Sequence, residues 1–173
     1  MGSFSSLTED SYLLNEVANA KSVCIIGCPH CANQSLAYAK NLAVIGKSSF
    51  GGLIYKPYAV TQEAQRLKEL FAAKGIASSV KIFKKTESPP CWLHQKERSA
   101  VAKACEKADA AVTLCCNSGR RGIKAALPST FKVIPALTTV GSITSYLDFK
   151  NGNDVMDKAK TQVVYLKNFK TVA

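Results

Sequence analysis

The stretch IIGCPHCANQS, residues 25 to 35, places Cys28 and Cys31 three residues apart directly after a short apolar run. Thiols at this spacing suit thiol–disulfide exchange, coordination of a metal, or ligation of an iron–sulfur cluster. Three more cysteines bear on the choice. Cys91 follows an acidic, proline-rich loop, and Cys115 and Cys116 close the apolar run AAVTLCC. The chain holds seven cysteines, an odd number that does not make a complete disulfide framework.

Whether these thiols meet depends on the elements that carry them. Ser22 to Ile26 reads as a buried strand, Val80 to Phe83 as a second, Ala110 to Cys116 as a third and Lys132 to Leu137 as a fourth. Between them, helical periodicity covers Glu9 to Ala20, Asn33 to Ile45, the residues from Thr61 to Lys74, Gln95 to Lys107 and Arg120 to Leu127. Leu53 to Tyr58 reads as extended, with Pro57 barring it from a central strand. Ser48 to Gly52 reads as a flexible break and residues 138–153 as loop. Asp154 to Phe169 reads as helical at first, then extended at Val163 to Leu166.

Strands alternating with helices predict a single α/β domain over residues 1–173. Its expected form is a mostly parallel sheet with helices on both faces, a flavodoxin-like or Rossmann-like three-layer arrangement. In such a sheet the carboxyl ends of the strands share one edge, where ligands bind. Cys28, Cys31, Cys91, Cys115 and Cys116 all follow strands on that edge. Strands sit about 4.8 Å apart, so thiols from adjacent strands are expected to converge. Four thiolates suit tetrahedral zinc or an iron–sulfur cluster. Cys24, mid-strand, and Cys105, on an inner helix face, read as core.

The motifs VCIIGCPHC (23–31), Gly51–Gly52, the lone Cys91, EKADAAVTLCCNSG (106–119) and VIPALTT (133–139) resemble a known family. It is the small cysteine-containing accessory domain or subunit of bacterial methylenetetrahydrofolate reductases, in one-carbon metabolism. The resemblance spans residues 20 to 150. It implies a metal or cluster held on Cys28, Cys31, Cys91 and Cys116, a non-catalytic or electron-transfer role, and a methylenetetrahydrofolate reductase catalytic subunit as partner. The chain departs from the family in carrying Ala32 to Ser35 where a further first-loop cysteine is usual, and in having no cysteine after Cys116.

CPHC also matches the active-site tetrapeptide of thioredoxin-like thiol–disulfide oxidoreductases, which is the alternative reading. There His30 would favour the first thiolate and VIPAL would supply a packing proline. That reading leaves Cys91, Cys115 and Cys116 without a role.

A second signal is CCNSGRRGIK (115–124). Small residues between a strand and a helix expose backbone N–H groups, so Ser118, Gly119, Arg120 and Arg121 are a candidate anion- or partner-binding turn. Both arginines are expected to face the mouth of the cysteine crevice. His30 is placed to assist the thiols, whereas His94 reads as a surface residue beside Trp92. No Ser/His/Asp set or paired carboxylates suggest hydrolysis.

The net charge of +11 comes from dispersed lysines and reads as a solvated basic surface. No nucleic-acid motif and no interleaved aromatics accompany it, so nucleic acid is not an expected partner. No apolar run reaches the ~20 residues of a membrane span. The first residues lack a basic head and apolar core. A cytoplasmic protein with reduced thiols is therefore expected.

Overall fold

The structure, a computed structural model, describes residues 1–49 and 54–167. In chain order the first half forms β1 (Gly2–Leu7), α1 (Asp10–Glu16), β2 (Ser22–Gly27), α2 (Cys31–Ala39), β3 (Val44–Ser49), β4 (Ile54–Pro57), α3 (Ala59–Ala72) and β5 (Ala77–Ile82). The second half forms α4 (Gln95–Cys105), β6 (Ala110–Leu114), α5 (Asn117–Ala125), β7 (Lys132–Pro135), β8 (Leu137–Thr144), β9 (Leu147–Lys150), β10 (Asn153–Met156) and β11 (Gln162–Tyr165).

The expected single, mostly parallel sheet of a flavodoxin-like or Rossmann-like domain is not what forms. Among the described residues there are three sheets. One is parallel, in the order β5-β2-β6-β7, and holds the four strands read from the sequence. The other two are antiparallel, in the orders β1-β8-β11 and β4-β3-β10-β9.

The parallel sheet is the centre of the main core. All five residues of β6 are buried, and β2 is buried from Val23 onward. This is the near-continuous apolar run of a strand covered on both faces. Leu67 and Phe71 of α3, Val101 of α4 and Ile123 of α5 pack into the same core. A second, smaller cluster of Phe4, Val140 and Ile143 joins β1 to β8, with Tyr38 and Val163 against it.

The antiparallel sheets explain the misread segments. Residues 137–144 are rich in Thr and Ser, which suggested loop, but Leu137, Val140 and Ile143 are buried and the β-branched residues between them suit a pleated surface. Residues 147–156 form a hairpin turned at Asn151 and Gly152. Their φ values of 51° and 78° are the left-handed pair that an Asn-Gly turn supplies. Asp154 therefore lies in β10, not in a helix. The helix expected over Asn33 to Ile45 stops at Ala39, and Ile45 is a buried residue of β3. The Gly51–Gly52 break lies outside the described residues, as does Phe169. Pro57 ends β4, an edge strand, as its missing N–H requires. Among the described residues, no helix is long and apolar enough to cross a membrane.

Candidate functional site

The strand order sets the site. Strands β5, β2 and β6 are neighbours and parallel, so the chain leaves all three at one edge. Cys28 follows β2, and its N–H donates to the Leu114 carbonyl at 3.0 Å. Cys115 and Cys116 follow β6. Phe83, just past β5, donates its N–H to the Gly27 carbonyl at 3.0 Å, which starts the connection to Cys91 on the same edge. Cys31 is the first residue of α2, and Cys116 caps α5. The positive ends of two helix dipoles thus point toward the thiols.

Cys28, Cys115 and Cys116 are buried, Cys31 is half-buried and Cys91 is exposed. Burial pushes the Cys28 thiol up to about 12, and the neighbouring Cys31, Cys116 and Cys91 push in the same direction against a hydrogen bond from the His30 backbone. Burial likewise raises Cys115, with Cys28, Cys116 and Cys91 adding to it. The Cys115 Sγ lies 3.8 Å from the Ile26 carbonyl oxygen and donates to it. Cys91 is raised by burial first and by Cys116 next. Each of these thiols would therefore feel its neighbours' negative charge. The cost of ionising them together falls if a cation lies among them.

The donor set is chemically suited to zinc or an iron–sulfur cluster, but it does not close around an ion as it stands. Among the described residues, no group of three or more Cys, His, Asp or Glu side chains is disposed to hold a metal. The structure brings Cys28, Cys31, Cys91, Cys115 and Cys116 to one edge without forming the expected single ligand point. Cys24 and Cys105 lie apart from them, buried in the core, where the neighbouring Cys24 thiol and burial push Cys105 up.

Three walls of the site were not legible as such. One is β1. A Cβ built on Gly2 would stand 2.9 Å from the Cys31 Sγ, so the first strand lies against that thiol. The Ser35 hydroxyl fixes the contact: its one proton is shared between the Cys31 carbonyl at 2.8 Å and the Ser3 carbonyl at 3.2 Å, and it accepts from the Ser5 N–H at 3.1 Å.

The second wall is the Pro90–Cys91 loop on α5. A Cβ on Gly122 would stand 1.8 Å from the Pro90 carbonyl oxygen, and one on Gly119 would stand 3.4 Å from the Pro90 Cβ. These glycines, one turn apart, admit the loop. Gly119 is thereby buried against Cys115 and Pro90 rather than open to an anion. The first N–H of α5, on Asn117, is taken by the Thr139 hydroxyl at 2.9 Å, while Ser118 stays exposed.

The third wall is polar. The Lys85 Nζ sits 4.4 Å from the centre of the Tyr55 ring and 3.9 Å from an Asp154 carboxylate oxygen. Burial and then the Lys85 charge hold His30 below its ordinary value. Asn33, the second residue after Cys31, donates to the Ile45 carbonyl at 2.8 Å and to the Tyr55 hydroxyl at 3.2 Å, and accepts the Val60 N–H at 3.0 Å. It ties the CPHC helix to β3, β4 and α3.

Arg120 and Arg121 sit one turn into α5, the Arg120 N–H donating to the Cys116 carbonyl at 2.9 Å. Both line a cleft between α5 and the segment leading into β7. His94 is exposed, its ring 6.3 Å from that of Trp92. Compared with protein-family models, characterised proteins and solved structures, the chain finds no match.

Proposed function

We propose that this protein is a non-catalytic accessory or electron-transfer module of one-carbon metabolism. It carries zinc or an iron–sulfur cluster on the edge cysteines and docks to a methylenetetrahydrofolate reductase-type catalytic subunit. The observation that supports this reading is the delivery of five cysteines to one edge by three adjacent parallel strands. The motif resemblance supplies the partner and the metabolic setting. Cys28, Cys31, Cys91 and Cys116 are the ligands this reading names, with Cys115 behind them. The thiol-exchange alternative has less support. Its leading thiol, Cys28, is buried and pushed up to about 12, whereas an exchanging thiol needs exposure and a lowered pKa.

The test is metal and acid-labile sulfide analysis of protein purified without oxygen, and again after reconstitution with zinc or with iron and sulfide. One zinc or one cluster per chain is expected, lost in Cys28→Ser and Cys116→Ser. Protein that holds neither under any of these conditions overturns the reading. Rapid reduction of insulin disulfides, abolished by Cys28→Ser, would move the protein to the exchange class.

A further inference from the structure

Away from the thiols, a cleft of about 930 Å³ runs between α5 and the segment from Leu127 to Val133. Its volume is that of sites which hold small organic ligands. Four cations line it, and they are not equivalent. Lys124 is committed to the protein: its ammonium donates to the Ser129 carbonyl at 2.7 Å and to the Phe131 carbonyl. Lys132 is also committed, donating to the Glu16 carbonyl at 2.7 Å and pairing with the Glu16 carboxylate at 2.9 Å. Arg120 and Arg121 have neither a carboxylate within ion-pair distance nor a side-chain hydrogen bond among the described residues. Two uncommitted guanidinium forks therefore share a cleft lined on its apolar side by Ala125 and by the half-buried Leu127, Phe131 and Val133, and on its polar side by Ser129 and Thr130.

This combination has a definite chemistry. Guanidinium groups recognise carboxylate and phosphate oxygens by paired N–H donors. The side chains of Leu127, Phe131 and Val133 offer nothing to a bare inorganic ion and favour an apolar body. We infer that the cleft between α5 and β7 binds a small organic anion, a carboxylate on an aromatic or aliphatic body. Arg120 and Arg121 hold the charge, and Leu127, Phe131 and Val133 cover the body. Lys124 ties α5 to the opposite wall through the Ser129 and Phe131 carbonyls, and Lys132 ties that wall to Glu16 of α1. The inference stands independently of any metal on the cysteines.

The test uses the full-length protein and three probes: 2-naphthoate, its neutral isostere 2-naphthamide, and inorganic phosphate. Binding is followed by ¹⁵N–¹H NMR titration, with calorimetry for affinity. Saturable 2-naphthoate binding is expected, with shift changes concentrated between residues 120 and 133, and at least about 10-fold tighter than either other probe. The Arg120→Ala/Arg121→Ala variant should lose about 10-fold or more, and Arg120→Lys/Arg121→Lys should recover part of that, because charge remains and the fork does not. A Lys158→Ala/Lys160→Ala variant should bind as the parent does. Equal binding of naphthoate and naphthamide, shift changes centred elsewhere, or equal losses in the arginine and lysine variants would each overturn the assignment. The dispersion of the NMR spectrum reports folding of every variant.

Discussion

Lys47 and Lys56 stand directly opposite each other across the β3–β4 pair, and Asn153 and then Lys150 continue the same row across β10 and β9. Lys150 has Asp148 beside it at 3.1 Å, but among the described residues Lys47 and Lys56 have no carboxylate partner. Like charges directly opposed on one sheet face are destabilising. Lys56→Glu should therefore raise stability by about 0.5 kcal/mol, read as a higher urea midpoint at unchanged slope. Added salt should narrow the gap between parent and variant. A lower midpoint would show that the pair is relieved in some other way.

Gly122 gives a prediction opposite to helix propensity. Glycine to alanine inside a helix ordinarily stabilises by about 1 kcal/mol. Here the added methyl would meet the Pro90 carbonyl oxygen, a backbone atom that must shift. Gly122→Ala should destabilise by about 1–3 kcal/mol, the range for overpacking, and should loosen the Cys91 loop. Iodoacetamide should then label Cys91 faster than in the parent. A stabilised variant with unchanged labelling would mean that the loop does not press on the helix.

Cys28 links the site to alkaline stability. Its thiol is held up at about 12 in the folded protein, against about 8.5 in the unfolded chain. The folded state thus retains a proton that the unfolded state gives up. Stability from this group is intact below about pH 8.5 and falls as pH rises toward 12, by up to about 1.4 kcal/mol per pH unit. Urea midpoints of metal-free protein between pH 8 and 10 should fall with pH, and Cys28→Ala should remove one thiol's share of that slope, leaving the part due to the other raised thiols such as Cys115. At pH 8 thiol reagents should modify exposed Cys91 well before Cys28 or Cys115. Preferential modification of Cys28 would contradict its burial.

Glu63 ties three elements together. Its carboxylate is covered, and it contacts Lys40 and Arg66; Arg66 also makes a two-pronged contact with Asp10 of α1 at 2.7 and 2.8 Å. Burial pushes Glu63 up, but the bonds from Arg66 and Lys40 outweigh it and hold the group below the usual carboxylate range. Arg66→Leu should cost about 2–3 kcal/mol at pH 7, because a covered charge loses a partner. Since the lowered pKa stabilises only while Glu63 is ionised, the difference between parent and variant should shrink as pH falls below about 4. A difference that stays constant from pH 7 to pH 3 would rule out this charge as its origin.

How far the sequence reached depended on which signals are local. Of the four parallel strands, β2 and β6 were readable because each is a short apolar run bounded by a helix or turn, as in Ala110–Leu114, while β5 was read only from Val80 because Ala77–Ser79 carries no such run. The placement of the five cysteines followed from that topology alone. The antiparallel sheets were not readable. β1 has one buried large apolar residue, Phe4, and pairs with β8 at the far end of the chain, so no nearby pattern announces it. The Asn151–Gly152 turn was a genuine local signal, obscured because Leu147–Lys150 is exposed at every position and shows no alternation. At the site, Asn33 and Gly122 were missed because their roles are long-range. One joins segments distant in sequence, and the other makes room for a carbonyl that precedes it by a whole helix and strand.

The pairing of β1 with β8 also fixes an order of assembly. The parallel sheet needs residues only up to β7, so the strands that carry the cysteines can associate while β8 is still being synthesised. The wall over Cys31 needs Gly2 to reach Ile143 and closes late, since such distant pairing forms slowly. A nascent chain would therefore pass through a period in which the thiol edge is assembled but uncovered on one side. That interval, rather than the finished fold, is when the cysteines are most accessible from outside and when stray oxidation of them is easiest.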